Sequence, residues 1–148
     1  LILADALTRA CEEKPDLIIN AATLTGAARV ALGTELPAFF TNTPWLSETF
    51  LSAGETEDDP AWQLPLYQPY RDQLKSIHAD IKNISNGGYG GAIIAALFLE
   101  EFIDHGCPWL HFDFMGWNLR GTPTGPEGGE AMGLRAFYRV IEDMGPTP

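Results

Sequence analysis

His111 and Asp113 have the residue types and the spacing of a ligand pair, lying two apart in the apolar run Trp109 to Met115. On a strand that interval puts both side chains on one face. An imidazole beside a carboxylate is half of a metal centre, but zinc or manganese needs more ligands, and His78 and His105 offer no matching interval. A hydrogen-bonded pair flanking a sheet is the leading alternative. Asp80 and Asn83 are suited to orienting a loop or touching a ligand, with the structural role preferred. Ser47, Ser52 and Ser76 sit in no Gly-x-Ser-x-Gly elbow, which argues against a serine hydrolase.

Backbone groups offer a second kind of chemistry. In open α/β sheets, ligands bind beyond the carboxyl ends of strands. Three glycine-bearing loops qualify here: Thr23 to Gly26, Ile84 to Gly91 and Gly116 to Gly129. The first leaves the Thr23 and Leu24 carbonyls and the Gly26 N–H without ladder partners, free to pair with a peptide at about 1 kcal/mol net per bond. Its plainer reading is a tight turn in which Thr25 caps the next helix. The second loop resembles a phosphate cradle but is not GxGxxG and lacks the Lys-Ser/Thr of a P-loop. A simple connection is the better reading there. The residues alone thus describe a ligand-shaped edge without a catalytic set.

The elements that must position this edge follow from hydrophobic periodicity. Leu3, Leu7, Ala10 and Cys11 share one helical face, so residues 1–13 read as an amphipathic helix ended by Lys14-Pro15. Asp16 to Ala22 reads as a strand covered on both faces, and Ala27 to Leu32 as a short helix closed by Gly33. Leu36 to Thr41 is a second strand, and Ser47 is a candidate N-cap for a helix reaching Ala53. Glu55 to Pro60 is a solvated loop, Trp62 to Leu66 is extended, and Tyr70 to Ser76 is helical. His78 to Ile84 is expected to form a third, irregular strand. A helix over Ala92 to Asp104 precedes the strand Trp109 to Met115. The Gly121 to Glu130 loop leads to a closing helix with Leu134, Phe137, Tyr138 and Ile141 on one face. Alternating helices and apolar strands predict an α/β fold, a layered and largely parallel sheet flanked by helices.

Composition narrows the function classes. Lys plus Arg number 9 against 20 Asp plus Glu, a formal charge of −11, which argues against nucleic-acid binding. No run nears the roughly 20 apolar residues that cross a bilayer, so no membrane role is expected. Cys11 and Cys107 form neither a disulfide framework nor a CxxC knuckle; a reducing cytoplasm is the simplest compartment. The sequence opens on Leu1-Ile2-Leu3-Ala4-Asp5-Ala6-Leu7 without an initiator Met or an N-cap, as a fragment with its start upstream would.

That opening, followed by Pro15-Asp16-Leu17-Ile18-Ile19-Asn20-Ala21-Ala22-Thr23-Leu24-Thr25-Gly26-Ala27, closely resembles the cytosol (leucyl) aminopeptidase family. The likeness continues through Ala31-Leu32-Gly33, Phe40-Thr41-Asn42, Trp62-Gln63-Leu64-Pro65-Leu66, Ala79-Asp80-Ile81-Lys82-Asn83-Ile84 and the glycine loop before Ala92. The resemblance implies that residues 1–148 are the C-terminal portion of a larger catalytic domain. It implies a metallopeptidase that releases N-terminal residues, often leucine, with two divalent ions (manganese, zinc or magnesium) activating water and a bicarbonate shuttling protons. Family members carry Asn-Thr-Asp-Ala-Glu-Gly-Arg just before the residue matching Leu1. Those metal and bicarbonate ligands, and the catalytic Lys, are absent here, so no catalytic or metal-binding residue is expected in this segment, and the isolated chain should be inactive.

By the same resemblance, Thr23, Leu24 and Gly26 match the loop whose backbone binds the substrate peptide group, and Met115 and Asn118 match positions lining the pocket for the first side chain. Many members have a smaller residue at the Met115 position and an apolar one at Asn118, which speaks against a strict preference for leucine. Pro126 to Gly133 resembles a bacterial branch. The family's hexamers imply that exposed apolar surface serves assembly. The rival readings are a family member that kept the fold without the chemistry, a nucleic-acid-binding regulator, and an unrelated serine or phosphoryl-transfer enzyme.

Overall fold

The strand Trp109–Asp113 is buried at every residue, alternating between two apolar layers. In this computed structural model, which describes residues 1–85, 87–104, 106–121, 123 and 125–145, that strand is the centre of the sheet. The elements run α1 (Ile2–Glu12), β1 (Ile18–Ala22), α2 (Gly26–Leu32), β2 (Ala38–Thr41), α3 (Pro44–Thr56), β3 (Trp62–Gln63), a 3-10 helix (Gln68–Leu74), α4 (Gly91–Glu100), β4 (Trp109–Asp113), β5 (Trp117–Asn118), β6 (Gly128–Gly129) and α5 (Leu134–Met144). Within the stretches considered above, Asn86, His105, Thr122 and Thr124 lie outside the described residues.

The main sheet has the order β1-β4-β2-β3. β1 pairs with β4 in parallel, from Ile18 opposite Trp109 to Ala22 opposite Asp113, and β2 pairs with β3 in parallel. Between them, β2 and β4 are antiparallel, so the expected α/β architecture holds with one reversed pairing. On one face, Trp109 and Ile18 pack with Leu7 of α1 and Leu97 of α4, while Ala38 and Phe40 meet Ala92 and Ala96. On the other, Leu110, Phe112 and Phe39 pack with Phe50 of α3 and Val140 of α5. Period-two alternation along β4 therefore builds both layers from one strand.

Several expectations are corrected. Ser47 is not an N-cap: α3 begins at Pro44, whose fixed φ suits the first helical turn, and Ser47 Oγ donates to Gln63 Oε1 at 2.5 Å. No strand forms over 78–84. Ser76 Oγ accepts from the N–H groups of His78 and Ala79, a local turn that competes with an extended ladder. The helix expected to reach Asp104 stops at Glu100. The Gly121 to Glu130 loop contributes β6, which pairs with β5 in a small antiparallel ribbon.

The expected face of α5 is also different. Of the four residues expected on it, Phe137 packs inward against Phe50 and Phe112 beside the buried Ala136 and Val140, whereas Leu134, Tyr138 and Ile141 are exposed. Asp59 sets this orientation by accepting from Gly133 N (2.9 Å), Arg135 N (2.9 Å) and Ala136 N (3.3 Å), satisfying donors that open the helix. Gly133 lies at φ +83°, where a Cβ would stand 2.7 Å from Phe112 Cζ. Only glycine allows that approach.

Candidate substrate-binding site

The site sits where the apolar runs of β1 and β4 end together. Beyond Ala22 the chain turns through Thr23-Leu24-Thr25 into α2, and Thr25 Oγ1 accepts from Ala28 N at 3.1 Å, the cap expected of it. A second acceptor comes from the neighbouring strand. Asp113 Oδ1 accepts from both Leu24 N and Thr25 N at 3.1 Å, and Thr25 Oγ1 donates to Asp113 Oδ2 at 2.5 Å. Asp113 is 1% exposed, so these three donors replace the water its carboxylate has lost.

Leu24 remains 42% exposed and forms one wall of a cavity of about 310 Å³. Asn83, Ile84, Gly91, Ile94 and Phe98 supply much of the rest, and the lining is largely apolar. Phe114 N donates to Ala22 O at 3.3 Å, carrying the β1–β4 ladder past the last paired residues. Gly116, at φ +66°, then passes so close to the loop that a Cβ there would meet Thr23 Cγ2 at 3.4 Å. Thr23 and the Met115-Gly116 segment are thus neighbours. Asn118 is held elsewhere: its amide donates to Glu130 Oε2 at 2.6 Å in the β5–β6 ribbon. Neither Met115 nor Asn118 lines the Leu24 cavity.

His111 and Asp113 share a face as expected but do not act as a pair. His111 Nδ1 lies 2.8 Å from Asn20 Nδ2, and Asn20 Oδ1 accepts from Trp109 Nε1 at 2.8 Å. Burial lowers the His111 pKa to about 4, against a smaller opposing effect of the Asn20 backbone. Its Nε2 is buried without a partner. Burial, with Cys11 and Asp104 nearby, pushes the Cys107 thiol up, which disfavours the thiolate a nucleophile needs. Among the described residues, no group of three or more His, Cys, Asp or Glu could hold a metal ion, and no helix is long and apolar enough to cross a membrane.

Residues 1–138 match the Peptidase_M17 family, described as the cytosol aminopeptidase family, catalytic domain. The chain belongs to that family. A probable cytosol aminopeptidase from Synechococcus sp. (strain WH7803) is 42% identical over 149 aligned residues, covering 99% of this chain and 30% of the relative. Among solved structures, the cytosol aminopeptidase from Coxiella burnetii superposes with a TM-score of 0.91 at 53% identity, covering 96% of this chain and 31% of that one. The bottromycin maturation enzyme BotP in complex with Mn gives a TM-score of 0.88 at 38% identity, covering 97% and 32%. The chain therefore spans about 30% of the length of the cytosol aminopeptidases it matches.

Asp113, read above as a hydrogen-bonding partner of His111 in preference to a metal ligand, instead holds the loop. A carboxylate ending a strand parallel to one that ends in Thr-x-Thr was the available signal. Its partners lie 88 and 89 residues away, beyond the reach of local pattern.

Proposed function

We propose that this chain forms the substrate-binding side of a divalent-metal aminopeptidase that releases leucine-like N-terminal residues from peptides. The observation that carries the proposal is the Thr23–Gly26 loop, fixed with two amides turned inward beside an apolar cavity. Burying the leucine side chain of a substrate in a separate pocket, shaped by Met115 and Asn118, contributes roughly 2–3 kcal/mol. In this reading the Thr23 and Leu24 carbonyls and the Gly26 N–H hold the substrate peptide group, while Met115 and Asn118 shape the pocket for its first side chain.

The described residues do not fit a two-metal centre. The manganese or zinc ions and the bicarbonate implied by the family resemblance then belong to ligands in another part of a longer polypeptide, and no bond-breaking step is assigned to side chains of this chain. The relatives' printed names support a cytoplasmic setting. The exposed row Leu134, Tyr138 and Ile141 supports assembly into the hexamers that the resemblance implies.

The test is hydrolysis of leucine p-nitroanilide with manganese, comparing the 148-residue chain with the complete polypeptide and a chelator control. Activity confined to the complete polypeptide and abolished by chelator is expected. A silent complete polypeptide favours the alternative of a non-catalytic family member serving as an interaction protein. Chelator-sensitive activity in the 148-residue chain alone overturns the assignment of the metals elsewhere.

A further inference from the structure

We infer that Asp113 is a positioning residue for peptide binding: its buried carboxylate turns the Thr23 and Leu24 carbonyls toward the substrate. This rests on the reading of the Thr23–Gly26 loop as the peptide-binding edge. The stereochemistry is direct. No peptide bond among the described residues is cis, and across a planar trans peptide the carbonyl of one residue points opposite to the N–H of the next. Asp113 Oδ1 draws the N–H groups of Leu24 and Thr25 inward. The carbonyls of Thr23 and Leu24, each in the same plane as one of those amides, are thereby aimed away from the sheet and toward the exposed side of the loop.

Closing the loop does not by itself call for a carboxylate. α2 already has its cap in the Thr25 side chain, which serves Ala28 N. A buried carboxylate is costly unless it is well hydrogen-bonded or paired, and among the described residues no Lys or Arg forms a salt bridge with Asp113. Its compensation comes from the loop: two amides and one hydroxyl. The same group ends β4 two residues before Met115, and Gly116 lies against Thr23. Asp113 thus fixes the strand end that leads to the side-chain pocket and the loop that faces the peptide backbone. The arrangement sets the spacing between the two features a substrate must satisfy together.

The experiment uses the complete polypeptide with leucyl-leucine as the probe. Asp113→Ala is expected to raise KM tenfold or more with kcat changed less than threefold, the signature of lost uniform binding. Asp113→Asn keeps an acceptor oxygen for the two amides and should return KM to within threefold of wild type. Amide hydrogen exchange at Leu24 and Thr25 should quicken at least a hundredfold in Asp113→Ala, with Phe39 and Leu110 unchanged. Should Asp113→Ala fail to fold, Thr25→Val removes one arm and is expected to raise KM about threefold. Faster exchange with an unmoved KM, in a wild type that cleaves leucyl-leucine, overturns this inference and spares the peptide-binding reading. A wild type that neither binds nor cleaves leucyl-leucine sinks both.

Discussion

Acidification should weaken this fold through one side chain, His111. It is fully buried on β4, with its ring parallel to those of Phe40 and Trp109 at centroid separations of 5.8 and 6.1 Å. Asn20 fixes its protonation state. The Asn20 carbonyl oxygen is committed to Trp109 Nε1–H, so its NH2 faces His111 Nδ1, which must accept. Protonating Nδ1 would set donor against donor, and turning the Asn20 amide would leave the Trp109 indole without its acceptor. Burial then holds the pKa at about 4, below the ordinary 6.5. Because the folded value is lower, the unfolded chain takes up the proton first as pH falls. The contribution is complete above pH 6.5 and is lost between 6.5 and 4, reaching about 3 kcal/mol. By pH 5 the linkage relation gives about 2 kcal/mol. Urea unfolding followed by tryptophan fluorescence from pH 7.5 to 5 should show this loss in wild type relative to His111→Leu. The substitution shifts absolute stability, so the readout is how the difference between the proteins changes with pH. A difference that stays constant across the range would falsify the assignment of a neutral buried His111.

Other outcomes follow from single contacts. Asp59→Ala leaves Gly133 N, Arg135 N and Ala136 N without their shared acceptor and should lower unfolding free energy by about 2–3 kcal/mol, measured by urea denaturation. Gly133→Ala forces a methyl group to within 2.7 Å of Phe112 Cζ at positive φ and should destabilise by at least about 2 kcal/mol, seen as a lower melting temperature. Ile141→Asp on the exposed row of α5 should shift the complete polypeptide toward smaller species in sedimentation velocity while leaving the melting temperature of the 148-residue chain nearly unchanged. Adding manganese or a chelator to that chain should move its melting temperature by less than a degree or so, since stabilisation requires binding to the folded state.

The parts of this fold that were legible in sequence are those whose signal is local. β4 is a short apolar run buried on both faces, β1 is an edge strand buried at Ile18 and Asn20 with Ala21 exposed, and α1 shows a clean helical stripe; the bounds of each are legible to within a few residues. Thr25 as the cap of α2 was readable from its position before a helical run. Failures came where a nearby group outcompeted the pattern. Pro44 sets the start of α3 ahead of Ser47, and the Ser76 hydroxyl folds 76–79 into a turn next to the stretch expected to be an irregular strand. The face of α5 was misjudged because Asp59, remote in sequence, fixes its rotation through the backbone. Leu134, Tyr138 and Ile141 look like a core stripe in any periodicity count. In the site, Thr23 and Leu24 stood out as an unpaired strand end, whereas the Asp113 bridge depends on the parallel register of β1 and β4.

That register also governs how the chain can fold. β4 is the last strand of the main sheet to be synthesised, yet it occupies an interior position, with β1 on one side and β2 on the other. β1 and β2 share no hydrogen bonds with each other, so β1 has no partner, and β2 has only the short β3, until residues 109–113 arrive. Ile18 must wait for Trp109, 91 residues later. Loops of that length are slow to close, and the entropy is lost before any contact returns it. Joining of β1 to the rest of the sheet should therefore be late, with β1 held as an unpaired apolar segment during synthesis. A chain cut anywhere before Asp113 would lose the centre of its sheet and the anchor of its binding loop in the same stroke.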